Sequence, residues 1–112
     1  MIIQLVDSIV DDLSLIKTND LLENMEFSFV TAFSEDHLNT FAIIFDLKIQ
    51  VGNDRVLTIK YVSEFKSDIN ISEEDRFSHD FFSINAPAIA FPFLRAYVAN
   101  FMLSSGFDPL IL

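Results

Sequence analysis

Phe41, Ile43, Phe45, Leu47, Ile49 and Val51 take every second place in one uninterrupted run, with Ala42, Ile44, Asp46, Lys48 and Gln50 between them. Side chains on a β-strand alternate between its faces, so this period gathers one wholly apolar face and predicts a strand laid on a core. Gly52-Asn53-Asp54 follows, a group suited to a turn, and beyond it Leu57, Ile59, Tyr61 and Phe65 alternate with Thr58, Lys60 and Glu64. Two alternating runs joined by such a turn predict an antiparallel hairpin. Met25 to Phe33 repeats the pattern with Phe27, Phe29 and Phe33 on one face, and the polar loop Ser34-Glu35-Asp36-His37-Leu38-Asn39 links it to the hairpin. It is expected to add a strand to the same sheet.

The flanking segments are less regular. Between Ile2 and Leu22 the residues Ile3, Leu5, Ile9, Leu13 and Leu15 fit neither template well, while Val6, Ile9, Val10 and Leu13 satisfy a helical one. Lys66 to Ser83 is a polar connector in which Ser72 and Asp75 are placed to open a short helical turn, although its charge run reads as a solvated loop. A helix is expected near the C-terminus. Pro87 suits its first turn, whereas the ring and missing N–H of Pro92 disturb the turn behind it, so the helix is expected to bend or restart there. Leu94, Tyr97, Val98, Phe101 and Met102 then form an apolar stripe, and Gly106 is placed to cap the end in a left-handed conformation. One antiparallel sheet with one long helix, in a single domain spanning residues 1–112, is an α+β fold.

The 112 residues allow one domain with a core and little surplus. The hydrophobic fraction is 51%, with 13 Phe against no Trp and two Gly, more large apolar side chain than a small monomer hides. Part of it is expected to face a partner, which predicts a homo-oligomer. A net charge of −10, with seven scattered basic residues, argues against nucleic acid and against an anionic membrane. The absence of cysteine removes disulfides and thiolate metal sites. The start of the chain lacks the basic and apolar regions of a signal peptide. The most apolar window, Ala86 to Leu94, is interrupted by prolines and is far shorter than the roughly 20 residues of a membrane span. A cytoplasmic protein without membrane insertion is expected.

Little in the sequence suggests catalysis. Glu35-Asp36-His37 could form half of a metal site and Ser78-His79-Asp80 spells the letters of a hydrolase triad. Triad members are neighbours in space rather than along the chain, however, and no nucleophile-elbow glycines flank Ser78. Asp7, Asp11, Asp12 and Asp20 stand among polar residues that give no reason for desolvation. The two glycines, Gly52 and Gly106, are far apart and form no phosphate-binding loop. The expectation is a protein that is not an enzyme and needs no cofactor. What remains is aromatic surplus. The strand phenylalanines are assigned to the core, whereas Phe77, Phe81, Phe82, Phe91 and Phe93, beside the connector and at the start of the helix, exceed what one sheet face and one helix cover.

Asn85-Ala86-Pro87-Ala88-Ile89-Ala90-Phe91-Pro92-Phe93-Leu94-Arg95 leading into the helix, and Ser105-Gly106-Phe107-Asp108-Pro109-Leu110 leaving it, resemble the SecB family of export chaperones. The order of strand and hairpin over Met25 to Phe65 agrees with that family more loosely. The resemblance implies a four-stranded antiparallel sheet, with a strand in the first segment, and a long helix packed on it. It also implies dimers that pair into tetramers, and an ATP-independent holdase for unfolded polypeptide clients. Client grooves in that family are lined by the sheet and the connector, which implies peptide binding at Phe77, Phe81, Phe82, Phe91 and Phe93, with Tyr61 and Phe65 added.

Two departures bear on the export role. The sequence stops at Leu112, without the second helix and tail through which exporting members meet the SecA motor, and Lys60 falls where such members often carry an acid. The family also contains solitary chaperones of toxin-antitoxin systems, so the implied client is an export precursor or an antitoxin. Two other classes compete: an oligomerisation module whose phenylalanines are buried between subunits, and a small hydrolase or metal protein built on His37 or His79.

Overall fold

A computed structural model describes the chain apart from Leu21, His79 and Ile111, and apart from the side chain of Ser78. Four strands, β1 (Ile3–Lys17), β2 (Glu26–Phe33), β3 (Thr40–Val51) and β4 (Arg55–Ser67), form one antiparallel sheet in the order β1-β4-β3-β2. β3 and β4 are the expected hairpin, paired from Thr40↔Lys66 to Val51↔Arg55 around Gly52, whose φ of 63° the turn requires. β2 pairs with β3 from Glu26↔Lys48 to Phe33↔Phe41 and is one edge of the sheet.

The first segment is a long edge strand with two interruptions. Its pairing with β4 shifts register between Leu5 and Asp7 and again between Val10 and Asp12, leaving Val6 and Asp11 as bulges. Each bulge moves the alternation by one place, so the β1 residues packed on the core side are Ile3, Leu5, Val10, Leu13 and Leu15. That spacing is neither strictly two nor strictly helical.

The connector is a correction to the solvated-loop reading. Its charge run folds as α1 (Glu73–Ser78), and Ser72 Oγ accepts the Asp75 N–H at 3.1 Å, the cap that the Ser72 and Asp75 spacing allows. A π-helical turn, Phe81–Asn85, then runs directly into α2 (Ala86–Ser104).

α2 neither restarts nor breaks at Pro92. Pro92 is exposed, and Ala88, whose carbonyl loses its usual donor, is exposed as well, so water can take the place of the missing bond. Because the π-helical turn and α2 are continuous, the helical run from Phe81 to Ser104 reaches 24 residues, long and apolar enough to cross a membrane by length and composition alone. This corrects the shorter window read from the sequence. One stripe of it, Ala86, Ala90, Leu94, Val98 and Met102, is fully buried on the sheet. A Schellman arrangement closes α2: the Gly106 N–H donates to the Leu103 carbonyl at 3.2 Å and the Phe107 N–H to Met102 at 2.9 Å, with Gly106 at φ 87°.

The core lies between α2 and the sheet face carrying Phe41, Ile43, Phe45, Leu47, Leu57, Ile59 and Phe65. Small residues on the helix, Ala86 and Ala90 above all, bring it close to the large strand side chains. On the opposite sheet face, Ile9, Val62, Ile44 and Val30 stand in register across all four strands as one apolar row.

Candidate functional site

β2 has a neighbour on one side only, so the phenylalanines on its helix-side face are covered incompletely: Phe27 is 40% exposed and Phe29 37%. Between them and the first turns of α2 opens a cleft of ≈ 310 Å³ lined by Phe27, Phe29, Phe45, Pro87, Ala88 and Phe91. No polar side chain lines it. Phe45, fully buried on β3, is the floor, with Phe27 stacked on it at 5.8 Å between ring centroids. Phe91 closes the helix side, edge-on to Phe27 at 5.6 Å, and Phe29 tilts against Phe45 at 6.1 Å. The small side chains of Pro87 and Ala88 leave the space between these rings open. Such rings offer faces and edges to apolar and aromatic ligand groups, without a polar atom to fix one ligand orientation.

A larger depression of ≈ 540 Å³ runs along β2 and β3 past Glu26, Asp46 and Lys48. Glu26 stands opposite Lys48, so both charge signs are present and the apolar cleft is the better match to an apolar ligand.

The residues singled out in the sequence separate into several environments. Phe91 lines the cleft. Phe93, two places along α2 and so about 200° around the helix, is 52% exposed on another face. Phe77 is 90% exposed on α1, away from the cleft. Phe81 is half-buried, and Phe82, at 3% exposure, sits edge-on between Phe33 at 5.0 Å and Phe41 at 4.9 Å. Phe65 and Tyr61 are core rather than groove walls: β4 is a central strand whose inner face α2 covers, which stacks Phe65 on Phe41 and puts Tyr61 beneath Tyr97. Phe27 and Phe29, assigned to the core from alternation, instead form a cleft wall, and the position of β2 at the sheet edge is the reason.

His37 is exposed in the β2–β3 loop, its backbone N–H donating to Ser34 Oγ at 3.0 Å. The Ser78-His79-Asp80 reading falls on His79 and the Ser78 side chain, outside the described residues. Among the described residues no group of three or more His, Asp or Glu is placed to hold a metal ion.

No protein-family model matches the sequence, and no curated protein matches it. Solved structures do. A SecB-like chaperone from Mycobacterium tuberculosis, determined with a ChAD peptide from the HigA1 antitoxin, superposes with a TM-score of 0.71 at 15% identity over 98% of this chain and 85% of its own. A protein of unknown function from Streptococcus agalactiae superposes with a TM-score of 0.64 at 14% identity over 100% of this chain and 97% of its own. The four-stranded antiparallel sheet of order β1-β4-β3-β2, with α2 laid across one face, is a SecB-like fold.

Proposed function

We propose that this protein is a chaperone that binds apolar segments of non-native polypeptide in the cleft between β2 and α2. The observation that carries the reading is the cleft itself: an open aromatic trough lined by Phe27, Phe29 and Phe91 along the free edge of β2. A folded partner hides its apolar side chains and pairs its backbone. An unfolded one offers both, and an edge strand beside an aromatic trough can receive both. The SecB-like fold supports this reading, as does the antitoxin peptide held by the mycobacterial neighbour.

The clients best suited to the charge of −10 are apolar segments flanked by basic residues, since acidic chains are repelled. An antitoxin and an export precursor both remain within this description, and the peptide complex of the neighbour favours the antitoxin. The protein acts in the cytoplasm, without ATP, a cofactor or enzymatic turnover, and with neither nucleic acid nor membrane insertion as part of its task.

The working unit is a homo-oligomer, a dimer or tetramer. Ile89, Phe93, Ala96, Asn100 and Leu103 recur at alternating spacings of four and three along the exposed face of α2, the repeat by which two helices interlock. No acidic residue lies in α2, so it is the surface where a second acidic copy meets least repulsion. The same stripe favours the competing reading of an oligomerisation module without clients. Suppression of light scattering by a thermally unfolded model protein separates the two. The chaperone reading expects suppression at near-stoichiometric ratios, and no suppression at any ratio would contradict it.

A further inference from the structure

The described residues from Ser72 to Asn85 form a surface strap beside the far end of β2, and among their described side chains Phe82 alone is buried. Phe77 and Ile84, on either side, are 90% and 59% exposed. Phe82 enters a box built by other elements: Phe33 of β2 and Phe41 of β3 present their rings nearly perpendicular to it, at 79° and 89°, and Phe65 of β4 stacks beneath Phe41.

The backbone at this point is unusual. Phe81–Asn85 is π-helical, with the Ala86 N–H donating to the Phe81 carbonyl, a geometry that recurs at functional sites. In the same pattern the Phe82 carbonyl would accept from residue 87, which is Pro87 and has no N–H. Thr31 Oγ1 donates to that carbonyl instead, at 2.9 Å. Phe82 is therefore held as a ligand residue would be, by its ring in an aromatic box and by its carbonyl on a side-chain donor.

The box and the cleft belong to one surface. Phe27, Phe29, Thr31 and Phe33 alternate along β2 on its helix-side face, so an extended polypeptide following β2 meets the cleft first and the box about 13 Å further on, four residues at strand rise. Arg76 fastens the strap over the far end, its Nη1 3.2 Å from Glu35 Oε1 and its guanidinium carbon 5.0 Å from the Phe33 ring centroid.

We infer that the Phe33–Phe41–Phe65 box is a second binding subsite for an aromatic side chain of an extended polypeptide, and that Phe82 is its resident occupant, exchanged for the client's ring when the strap lifts. The inference rests on the client-binding reading above. An aromatic client residue would replace the ring contacts and the Thr31 hydrogen bond, which offsets part of the cost of lifting a buried ring out of the core. A client without an aromatic residue at that spacing would use the cleft alone. The displaced Phe82 would join Phe77, Phe81 and Ile84 on the lifted strap, where they can cover the bound chain.

The chain contains no cysteine, which allows a direct test. In the double variant Glu35→Cys, Arg76→Cys, a short bismaleimide ties the strap to the β2–β3 loop. The probe is a labelled extended peptide with Phe residues four apart, compared with a version whose second Phe is Ser. The expected result is that the untied variant binds the Phe peptide about tenfold more tightly than the Ser peptide, and that tying the strap abolishes this difference while binding of the Ser peptide is kept. Equal preference for the Phe peptide in tied and untied protein overturns the inference and leaves cleft binding standing. Failure of the untied protein to bind either peptide overturns both. Phe82→Ala gives an independent reading, with higher affinity for the Phe peptide expected from an emptied box and unchanged or lower affinity contradicting it.

Discussion

Phe41 and Phe65 face each other across β3 and β4 with their rings almost parallel, 6° apart in plane and 5.2 Å between centroids. Both are essentially inaccessible, at 1% and 0% exposure. This pair supports the box around Phe82 from below, so the rigidity of the candidate client surface depends on a core contact. Phe65→Ala should therefore cost about 3–5 kcal/mol, whereas Phe77→Ser, at an exposed position, should change stability by less than about 0.5 kcal/mol. Urea unfolding of the two variants checks both values, and a similar small loss in each would show that the stack is not structural.

The glycines separate steric from conformational cost, because a Cβ at either one meets no other atom within 4 Å. Gly106→Val should still lose roughly 1 kcal/mol or more, since a β-branched residue at φ 87° is strained whatever the space. Gly52→Asn, at φ 63°, should lose less, because Asn tolerates the left-handed region. Paired thermal melts decide this, and equal losses would contradict it.

Pro92 lies inside a continuous α2 with its residue exposed. Pro92→Ala restores a donor to the Ala88 carbonyl and should stabilise the protein by about 1–3 kcal/mol, offset in part by the freer unfolded chain. Phe91 already sits in a helical position against Phe27, so client affinity should stay unchanged. A loss of stability in this variant would show that the proline ring makes contacts the helix needs.

Ser63 is fully buried on β4 between Ser8 and Ile43 in the sheet register, and among the described residues its hydroxyl has no hydrogen-bond partner. An orphaned buried hydroxyl is destabilising, so Ser63→Ala should raise stability by about 1 kcal/mol. Chemical denaturation measures it. Destabilisation of the alanine variant would mean that the hydroxyl has a bonded role.

The hairpin and β2 were legible because their alternation is unbroken, and the Gly106 cap because few residues accept that φ. β1 was obscured by its bulges. With Val6 and Asp11 out of the ladder, Leu5, Val10, Leu13 and Leu15 reach the core at mixed spacings that imitate neither a regular strand nor a regular helix. The cleft was half legible. Phe91 was singled out because the helix start carries more aromatic residues than it can bury, but Phe27 and Phe29 obey the same alternation as the core phenylalanines. What exposes them is strand order, since β2 is the edge and β4 is central, and periodicity carries no information about strand order. Phe93 and Phe91 are likewise equivalent in composition and separated only by helical phase.

The central claim, that the β2–α2 cleft receives non-native polypeptide, is tested most directly by fluorescence anisotropy of a labelled, permanently unfolded polypeptide against the protein and its Phe27→Ser, Phe91→Ser variant. Both residues are partly exposed, so the fold should persist, which far-UV circular dichroism and a thermal melt verify in the same samples. The account predicts binding by the unaltered protein that weakens by about tenfold or more in the variant, about 1.4 kcal/mol of binding energy or above. Equal affinity in a folded variant would contradict it.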